Sequence, residues 1–423
     1  MASQKLKILL SAFVCHPEKG SEEGIGWNWL RELSKEYEIH VIISCFFGQE
    51  EPVRAAVEKL SYRKNIHLIF IPIPQDSKTI MALFLVLEFY YLCIEWQKQA
   101  LVEAEKLLEK VNIDIIHHVT YGSWTIPSYL WRLPKPFVLG PVTGSQRMPL
   151  VGYSFLPLKG IAQELVRMAY FVWVRLTSVA SREAVKNAKL VLCGNLETLS
   201  EINTMRNSDE SLLFLDSGSS YLFESSKDCK INDCNTSTGI SLLWAGLIEP
   251  RKNFGLLLEA LKILPPDIQW ELTVAGSGPL LTYWQKKVLQ LGLQDRINFL
   301  GQVPYTEMSN CYETSDILVF PSLREGCANV ILEALANRLP VVALRLSGSV
   351  TVLSDDYGVL INVGSRKQMI QDFANAIISL SRNQDLRRKI GEKGYERVRS
   401  LCTWEQRGIQ MSSLYQKVLD STL

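Results

Sequence analysis

The chain has 423 residues, a formal net charge of +1, and 47% hydrophobic against 21% charged residues. That length predicts two or three domains of about 100–200 residues each, and the composition is that of a globular protein with a sizeable core. The near-zero charge balance gives no basis for a nucleic-acid partner or an acidic tail.

Met1 to Lys5 carries no signal-peptide apolar region. Leu6 to Leu10 reads as a short, almost wholly apolar strand, as expected near the centre of a parallel sheet. It runs into a loop containing Gly20, Ser21, Gly24 and Gly26 before a helix. Glycines there let backbone approach a ligand, and a helix start suits a phosphate or carboxyl group; a plain tight turn is the alternative. The loop lacks a strict G-x-G-x-x-G pattern, so no dinucleotide site is expected. Ile39 to Ser44, Ile66 to Ile71, Ile113 to His117, Phe137 to Gly140 and Leu190 to Cys193 continue as strands with helical patterns between them. This is a doubly wound α/β sheet, with ligands expected at the carboxyl ends of its strands. The apolar stretch Ile80 to Ile94 is interrupted by Glu88 and is too short to span a bilayer, so it reads as a buried or docking helix.

His117 and His118 are adjacent at one strand end. Alternation sends them to opposite faces, so one of them lines a ligand site, unless both are satisfied structural histidines. Leu139 to Arg147 is a Gly/Pro loop after the next strand, facing a ligand or simply turning the chain. Leu150 to Val179 is rich in Phe, Tyr, Trp and Leu, with Lys159, Arg167 and Arg175 interspersed. A core or interdomain helix is expected there, with docking on a membrane face as the alternative.

Asp216 to Gly239 is rich in Ser, Asn, Asp and Thr and reads as a linker. The expected organisation is a first domain over 1–218, a polar linker over 219–239, a second domain over 240–401, and a final helix over about 402–423 returning to the first domain. Cys229 and Cys234 fall in the linker, where solvated chain is expected rather than a clip or metal site. The dispersed, odd set of nine cysteines reads as reduced thiols in a cytosolic chain.

In the second domain the strand Ile240 to Ala245 leads into Gly246, then Arg251 and Lys252, then a helix from Phe254. Two cations at a helix start oppose its dipole, so an anion must compensate them: a diphosphate, or a surface carboxylate. Trp270 to Ala275 is another strand, ending in a glycine loop with Gly276 and Gly278. The organising stretch is Phe320 to Leu335. The buried strand Ile317 to Phe320 stops at Pro321-Ser322, Glu325-Gly326 turns, and Asn329 to Asn337 carries helical periodicity. One carboxylate, Glu325, sits in the loop above the strand and a second, Glu333, on the helix. They are eight residues apart, roughly 12 Å if helical, with a helix N-terminus between them that favours phosphate. The parts match a sugar–diphosphate–ribose ligand. Helical patterns around Lys367 to Ser381, Leu386 to Arg399 and Trp404 to Val418 complete the chain.

This run resembles the Glu-x7-Glu motif of the retaining glycosyltransferases of family four, which have the GT-B fold: two Rossmann-like domains facing across a cleft, with the last helix crossing back to the first. Asn298 to Val303, Asp316 to Ser322 and Leu339 to Val342 stand in family order. The resemblance implies that Lys252 grips the donor phosphates, while Leu247 stands where the family has an arginine, a role Arg251 would take over. It implies that Gly246, Gly278 and Val303 shape the nucleotide pocket, and that Gly326, Cys327, Ala328 and Asn329 offer amides to the diphosphate. It further implies that Glu325 orients the sugar, Glu333 the ribose, and one histidine, His118 by preference, the sugar near the breaking bond. Gly20, Ser21, Gly24 and His117 would lie on the acceptor side. Leu346 to Thr351 corresponds to a Gly-Gly-x-x-Glu turn of the family and carries no acid.

The implied reaction moves a hexose-type sugar from a UDP- or GDP-sugar to an acceptor hydroxyl with retention, with no metal or cofactor. The acceptor would be a carbohydrate or lipid-linked molecule of cell-surface polysaccharide or glycolipid synthesis, with peripheral contact at the inner face of the membrane. A GT-B-fold nucleotide-sugar epimerase and a non-catalytic nucleotide-sugar-binding subunit are the alternatives.

Overall fold

The computed structural model describes residues 5–45, 48–72, 85–219 and 239–420. The chain divides into two compact units. The first comprises Met1–Ser145, Ala169–Ser217 and Trp404–Leu423, and the second Gln146–Met168 and Gly218–Thr403.

The first unit is built on seven parallel strands: β1 (Lys7–Ala12), β2 (Glu38–Ser44), β3 (Ile66–Ile71), β4 (Ile115–Thr120), β5 (Phe137–Val142), β6 (Leu190–Cys193) and β7 (Leu212–Leu213). Their order is β3-β2-β1-β4-β5-β6-β7. Helices cover both faces, which is why the central strands are apolar almost throughout. One core gathers Leu10, Trp29 and Tyr415; the other gathers Leu9, Phe13, Trp96 and Leu139. The helices Ser21–Leu33 and Trp404–Asp420 pack on each other within this unit.

The second unit has six parallel strands: β8 (Ile240–Ala245), β9 (Trp270–Ala275), β10 (Ile297–Gly301), β11 (Ile317–Phe320), β12 (Val341–Leu344) and β13 (Val359–Ile361). Their order is β10-β9-β8-β11-β12-β13. The direction of winding reverses between β8 and β11. In a doubly wound sheet the carboxyl ends at such a reversal open into the ligand crevice. The loops that leave β8 and β11 are those carrying Arg251, Lys252 and Glu325.

Two expectations change. Residues 146–168, expected in the first domain, pack with the second unit. Phe155, 5% exposed, and Met148 enter its core beside Phe254 and Trp284. A Cβ on Gly255 would stand 2.7 Å from the Phe155 carbonyl oxygen, so the contact is backbone-close. The stretch Leu150 to Val179, expected as a core or interdomain helix with membrane docking as the alternative, forms a 3-10 turn (Leu150–Phe155) and the helix Leu158–Thr177. That helix buries Phe171 and Val174 but leaves Leu158, Trp173 and Leu176 exposed.

The helix expected at Ile80 to Ile94 is observed over Leu85–Leu108. No helix among the described residues is long and apolar enough to cross a membrane. Cys15, Cys45, Cys93, Cys193, Cys311, Cys327 and Cys402 are in no disulfide; Cys229, Cys234 and most of the expected linker lie outside the described residues.

If Phe155 anchors 146–168 to the second unit, Phe155→Ala costs about 3–5 kcal/mol of stability, as for other buried aromatics. Denaturant unfolding followed by tryptophan fluorescence measures this. A loss under 1 kcal/mol would show that the anchor is not there.

Candidate functional site

The second unit brings Arg251, Lys252 and Glu325 together. Pro250–Lys252 is a single 3-10 turn, closed by Asn253 in the left-handed region (φ 49°), ahead of the helix Phe254–Lys262. The cations therefore stand before the helix rather than on its first turn. Glu325 is 6% exposed and Lys252 7%. The Arg251 guanidinium donates to Glu325 Oε2 at 2.6 Å, Lys252 Nζ lies 2.7 Å from Glu325 Oε1, and the Ser322 hydroxyl donates to the same oxygen at 2.5 Å. Arg251 also pairs with Glu249 at 2.5 Å. The compensating anions are thus the protein's own carboxylates, Glu325 and Glu249.

Burial alone would push the Glu325 pKa up; Arg251 and Lys252 overcome it and hold the carboxyl at about 2. Burial draws the Lys252 ammonium below the usual lysine range, against the pull of Glu325. Arg251 stays firmly charged, because Glu325 and Glu249 outweigh its burial.

The backbone fixes this cluster. The Arg251 carbonyl accepts from the Leu323 amide at 2.8 Å and from the Ser322 hydroxyl at 3.1 Å, tying the loop after β8 to the loop after β11. Gly246 (φ +138°) lies against Lys252, and a Cβ on Gly276 would fall 1.8 Å from the Gly246 carbonyl oxygen. The two glycine loops close on each other, and Gly278 meets Ile248 in the same way. Packing between loops accounts for these glycines. Leu247, 52% exposed, brings no charge, whereas the Arg251 guanidinium reaches Glu325. Arg324, next to Glu325, is anchored on Glu164 at 3.1 Å, a contact the sequence reading missed.

Past Glu325 the chain runs through Gly326, Cys327 and Ala328 into the helix Asn329–Ala336, which has no side-chain cap at its start. Only its last four steps to Glu333 are thus helical in the eight-residue spacing. Glu333 accepts a hydrogen bond from the Tyr312 hydroxyl at 2.5 Å. Burial raises its pKa to about 7, with the tyrosine opposing. The segment expected to correspond to the family's glycine turn rests on this motif: the Gly348 amide donates to the Glu325 carbonyl at 3.2 Å. Val303 follows β10, half-buried.

Asn253 Nδ2 and Oδ1, Asn329 Oδ1 and Ser347 Oγ are buried without a hydrogen-bond partner. Native interiors leave few such atoms. These follow Lys252, open the Asn329–Ala336 helix, and precede Gly348.

In the first unit the histidines do face opposite ways, but neither is exposed. His117 is structural: Nδ1 bonds the Tyr415 hydroxyl and Nε2 the Gly140 carbonyl, both at 2.6 Å. Its expected acceptor-side place is lost to that packing. His118 contacts Ser11 Oγ at 3.1 Å and the Tyr121 carbonyl at 3.4 Å. Burial holds both rings neutral, with pKa values of about 3 and about 4. Gly20 precedes the helix Ser21–Leu33, and Ser21 at its start is exposed. Gly24 is required because a Cβ there would stand 2.3 Å from the Lys19 carbonyl oxygen. The tight-turn reading explains it. Glu22 was passed over in the sequence. Its carboxylate accepts from the Gly122 amide at 3.4 Å, and burial, with the Asp216 charge adding to it, raises its pKa to about 8.

Residues 235–397 match the family model described as glycosyl transferases group 1. The D-inositol 3-phosphate glycosyltransferase of Corynebacterium glutamicum is 25% identical over 330 residues, 74% of each chain. An uncharacterized glycosyltransferase of Methanocaldococcus jannaschii is 28% identical over 178 residues, 42% of this chain, and the chain spans only 48% of that relative's length. Among solved structures, sucrose-phosphate synthase from Thermosynechococcus elongatus superposes with a TM-score of 0.69 at 19% identity, covering 99% of this chain and 100% of the other. Anabaena HepE in complex with UDP-glucose gives 0.60 at 14% identity, covering 97% and 100%. These neighbours establish the GT-B fold, and the stretch of the second unit that holds Glu325 and Glu333 lies within the match to the group 1 glycosyl transferases.

Proposed function

We propose that the chain is a retaining transferase that moves a hexose-type sugar from a nucleotide diphosphosugar to an acceptor hydroxyl. The observation that carries this reading is the buried, ionised Glu325 held between Arg251 and Lys252, at the start of a segment that leads to Glu333. As the bond from C1 to the leaving oxygen breaks, negative charge grows on the diphosphate. Arg251, Lys252 and the amides from Gly326 to Asn329 are preorganised to neutralise it. The incoming diphosphate competes with Glu325 for the two cations, and Glu325, released, accepts hydrogen bonds from the sugar hydroxyls. Glu333 takes the ribose, and Asn253, Asn329 and Ser347 gain partners when donor binds. The leaving phosphate helps deprotonate the acceptor on the same face. This scheme uses no metal or other cofactor.

The acceptor in this proposal is a carbohydrate or lipid-linked molecule of cell-surface polysaccharide or glycolipid synthesis. The helix Leu158–Thr177 supports a contact with the membrane surface: exposed Leu158, Leu165, Val172, Trp173 and Leu176 share one side, with Lys159 and Arg175 at its edges.

Incubation with a panel of UDP- and GDP-sugars, starting with UDP-glucose, tests the reaction through nucleotide release. Lys252→Ala and Glu325→Gln are expected to lower turnover by about 100-fold or more. Glu325→Gln also strands two cations and costs roughly 3–5 kcal/mol, so circular dichroism must show the variant folded. It should bind UDP more tightly than wild type, its cations no longer occupied. Wild-type turnover in either variant removes the mechanism.

Nucleotide affinity should fall as pH drops through about 7, where Glu333 takes up a proton and no longer accepts from the ribose. Tyr312→Phe removes the bond that favours the carboxylate and moves the midpoint upward. Calorimetry with UDP from pH 5.5 to 8.5 reads this, with Glu333→Gln separating out the nucleotide's own titration; identical profiles in wild type and Glu333→Gln reject the ribose role.

For the membrane contact, Trp173→Glu should abolish co-sedimentation with vesicles containing anionic lipid. Equal sedimentation of both proteins, or none of wild type, would dismiss it.

A further inference from the structure

The other ends of the first unit's strands hold a second cluster. Lys7 and Glu38 are register partners on β1 and β2, and His40 and His67 are partners on β2 and β3. Glu38 and His40 are two residues apart, so their side chains leave the same face of the sheet. All lie at the amino-terminal ends of the strands, away from the carboxyl ends where a doubly wound sheet binds its substrate.

One oxygen collects the nitrogens. Glu38 Oε1 is 3.2 Å from His40 Nε2 and 3.4 Å from His67 Nε2, with Lys7 Nζ at 3.1 Å. The ligand atoms of all three residues lie within 4.8 Å of one another. Two ligands held at about 2.0–2.1 Å from a tetrahedral ion stand about 3.3 Å apart. Both carboxylate–imidazole separations have that length. The imidazoles are stacked, with centroids 4.3 Å apart and planes 13° from parallel, so one ring must turn before both lone pairs meet at one point. His67 is free to do so on exposure grounds: its side chain is 46% exposed, while His40 is 7% exposed and held.

A hydrogen-bonded ion pair with two stacked rings is the simpler account, and it explains Lys7 and Glu38. It leaves two imidazole nitrogens from adjacent strands gathered at the oxygen that Lys7 also meets, and three donor atoms so placed are also the start of a metal site. We propose that Glu38, His40 and His67 bind one divalent transition-metal ion of the zinc class, with water as a fourth ligand and Lys7 displaced from Glu38 Oε1. Two imidazoles and a carboxylate form a donor set suited to such an ion rather than to magnesium or calcium. The ion would tie β2 to β3 at the sheet edge. It is separate from the transfer chemistry, which needs no metal in the mechanism above.

The ion itself is the probe. Purified full-length protein, stripped with chelator, is titrated with Zn2+ by calorimetry and with Co2+ by visible absorption, and its melting temperature is followed. Wild type should bind one ion that His67→Ala and Glu38→Gln lose, with affinity falling about tenfold or more, and with Co2+ bands of low-symmetry, four-coordinate type. Exposed His67 is a safe substitution for folding. Lys7→Met separates the two accounts: a metal site loses its competing ammonium and binds Zn2+ more tightly, whereas a plain ion pair only loses stability. Zn2+ binding unchanged in His67→Ala, or no binding by wild type at micromolar Zn2+, overturns the proposal.

Discussion

Everything in the second unit is arranged around a charge that water would otherwise keep. Taking one carboxylate out of solvent costs several kcal/mol, and a buried ion pair often returns no more than an apolar packing of the same volume would. Glu325 therefore does little for stability where it stands. The chain tolerates it because Ser322, Arg251 and Lys252 meet its oxygens and the Arg251 carbonyl locks the two loops that carry them. That lock in turn needs glycine at Gly246 and Gly276, whose backbones touch. A group kept charged at such expense, at the point where the strand order reverses, fits the binding role proposed for it better than a contribution to folding.

Three glutamates in one chain are set to different charge states by their surroundings. Two cations hold Glu325 at about 2, while burial lifts Glu333 to about 7 and Glu22 to about 8. The signs for stability are opposite. Glu325 binds fewer protons folded than unfolded, so its contribution is present above the ordinary carboxylate range and is lost as pH falls toward about 2. Glu333 and Glu22 bind more protons folded, so their contributions are greatest in acid and decline as pH rises toward about 7 and about 8. Near neutral pH Glu22 is mostly protonated and Glu333 is divided between its two forms, so the folded chain holds protons that the unfolded chain would have released.

The strands were legible because a parallel sheet buried on both faces leaves long apolar runs. Ile66–Ile71, Leu190–Cys193, Ile240–Ala245 and Ile317–Phe320 have the bounds their composition dictates. The pairing of Glu325 with cations 74 and 73 residues earlier was not legible, since nothing local announces a contact across two loops. The sequence asked for an anion beside Arg251 and Lys252, and the anion proved to be the very glutamate assigned to the sugar. His117 misled for a related reason. A histidine at a strand end resembles a ligand contact until Tyr415, from the far end of the chain, takes its Nδ1. Phe155 was hidden by continuity: a polar linker downstream marks a boundary, but a single aromatic that enters the other core marks none.

Pairing register can place chemistry as firmly as a motif does. His40 and His67 share no sequence pattern; 27 positions separate them, and only the alignment of β2 with β3 makes them neighbours. Glu38 joins because a strand repeats its face every second residue. The same rule that sends His117 and His118 to opposite sides of β4 brings Glu38 and His40 to one side of β2. Each strand therefore has two ends with separate uses. The carboxyl ends feed the loops where backbone amides and helix starts accumulate and phosphate chemistry belongs. The amino ends lack those loops, and a cluster there has to be made of side chains alone, which is the condition under which imidazole and carboxylate favour a metal ion over an anion.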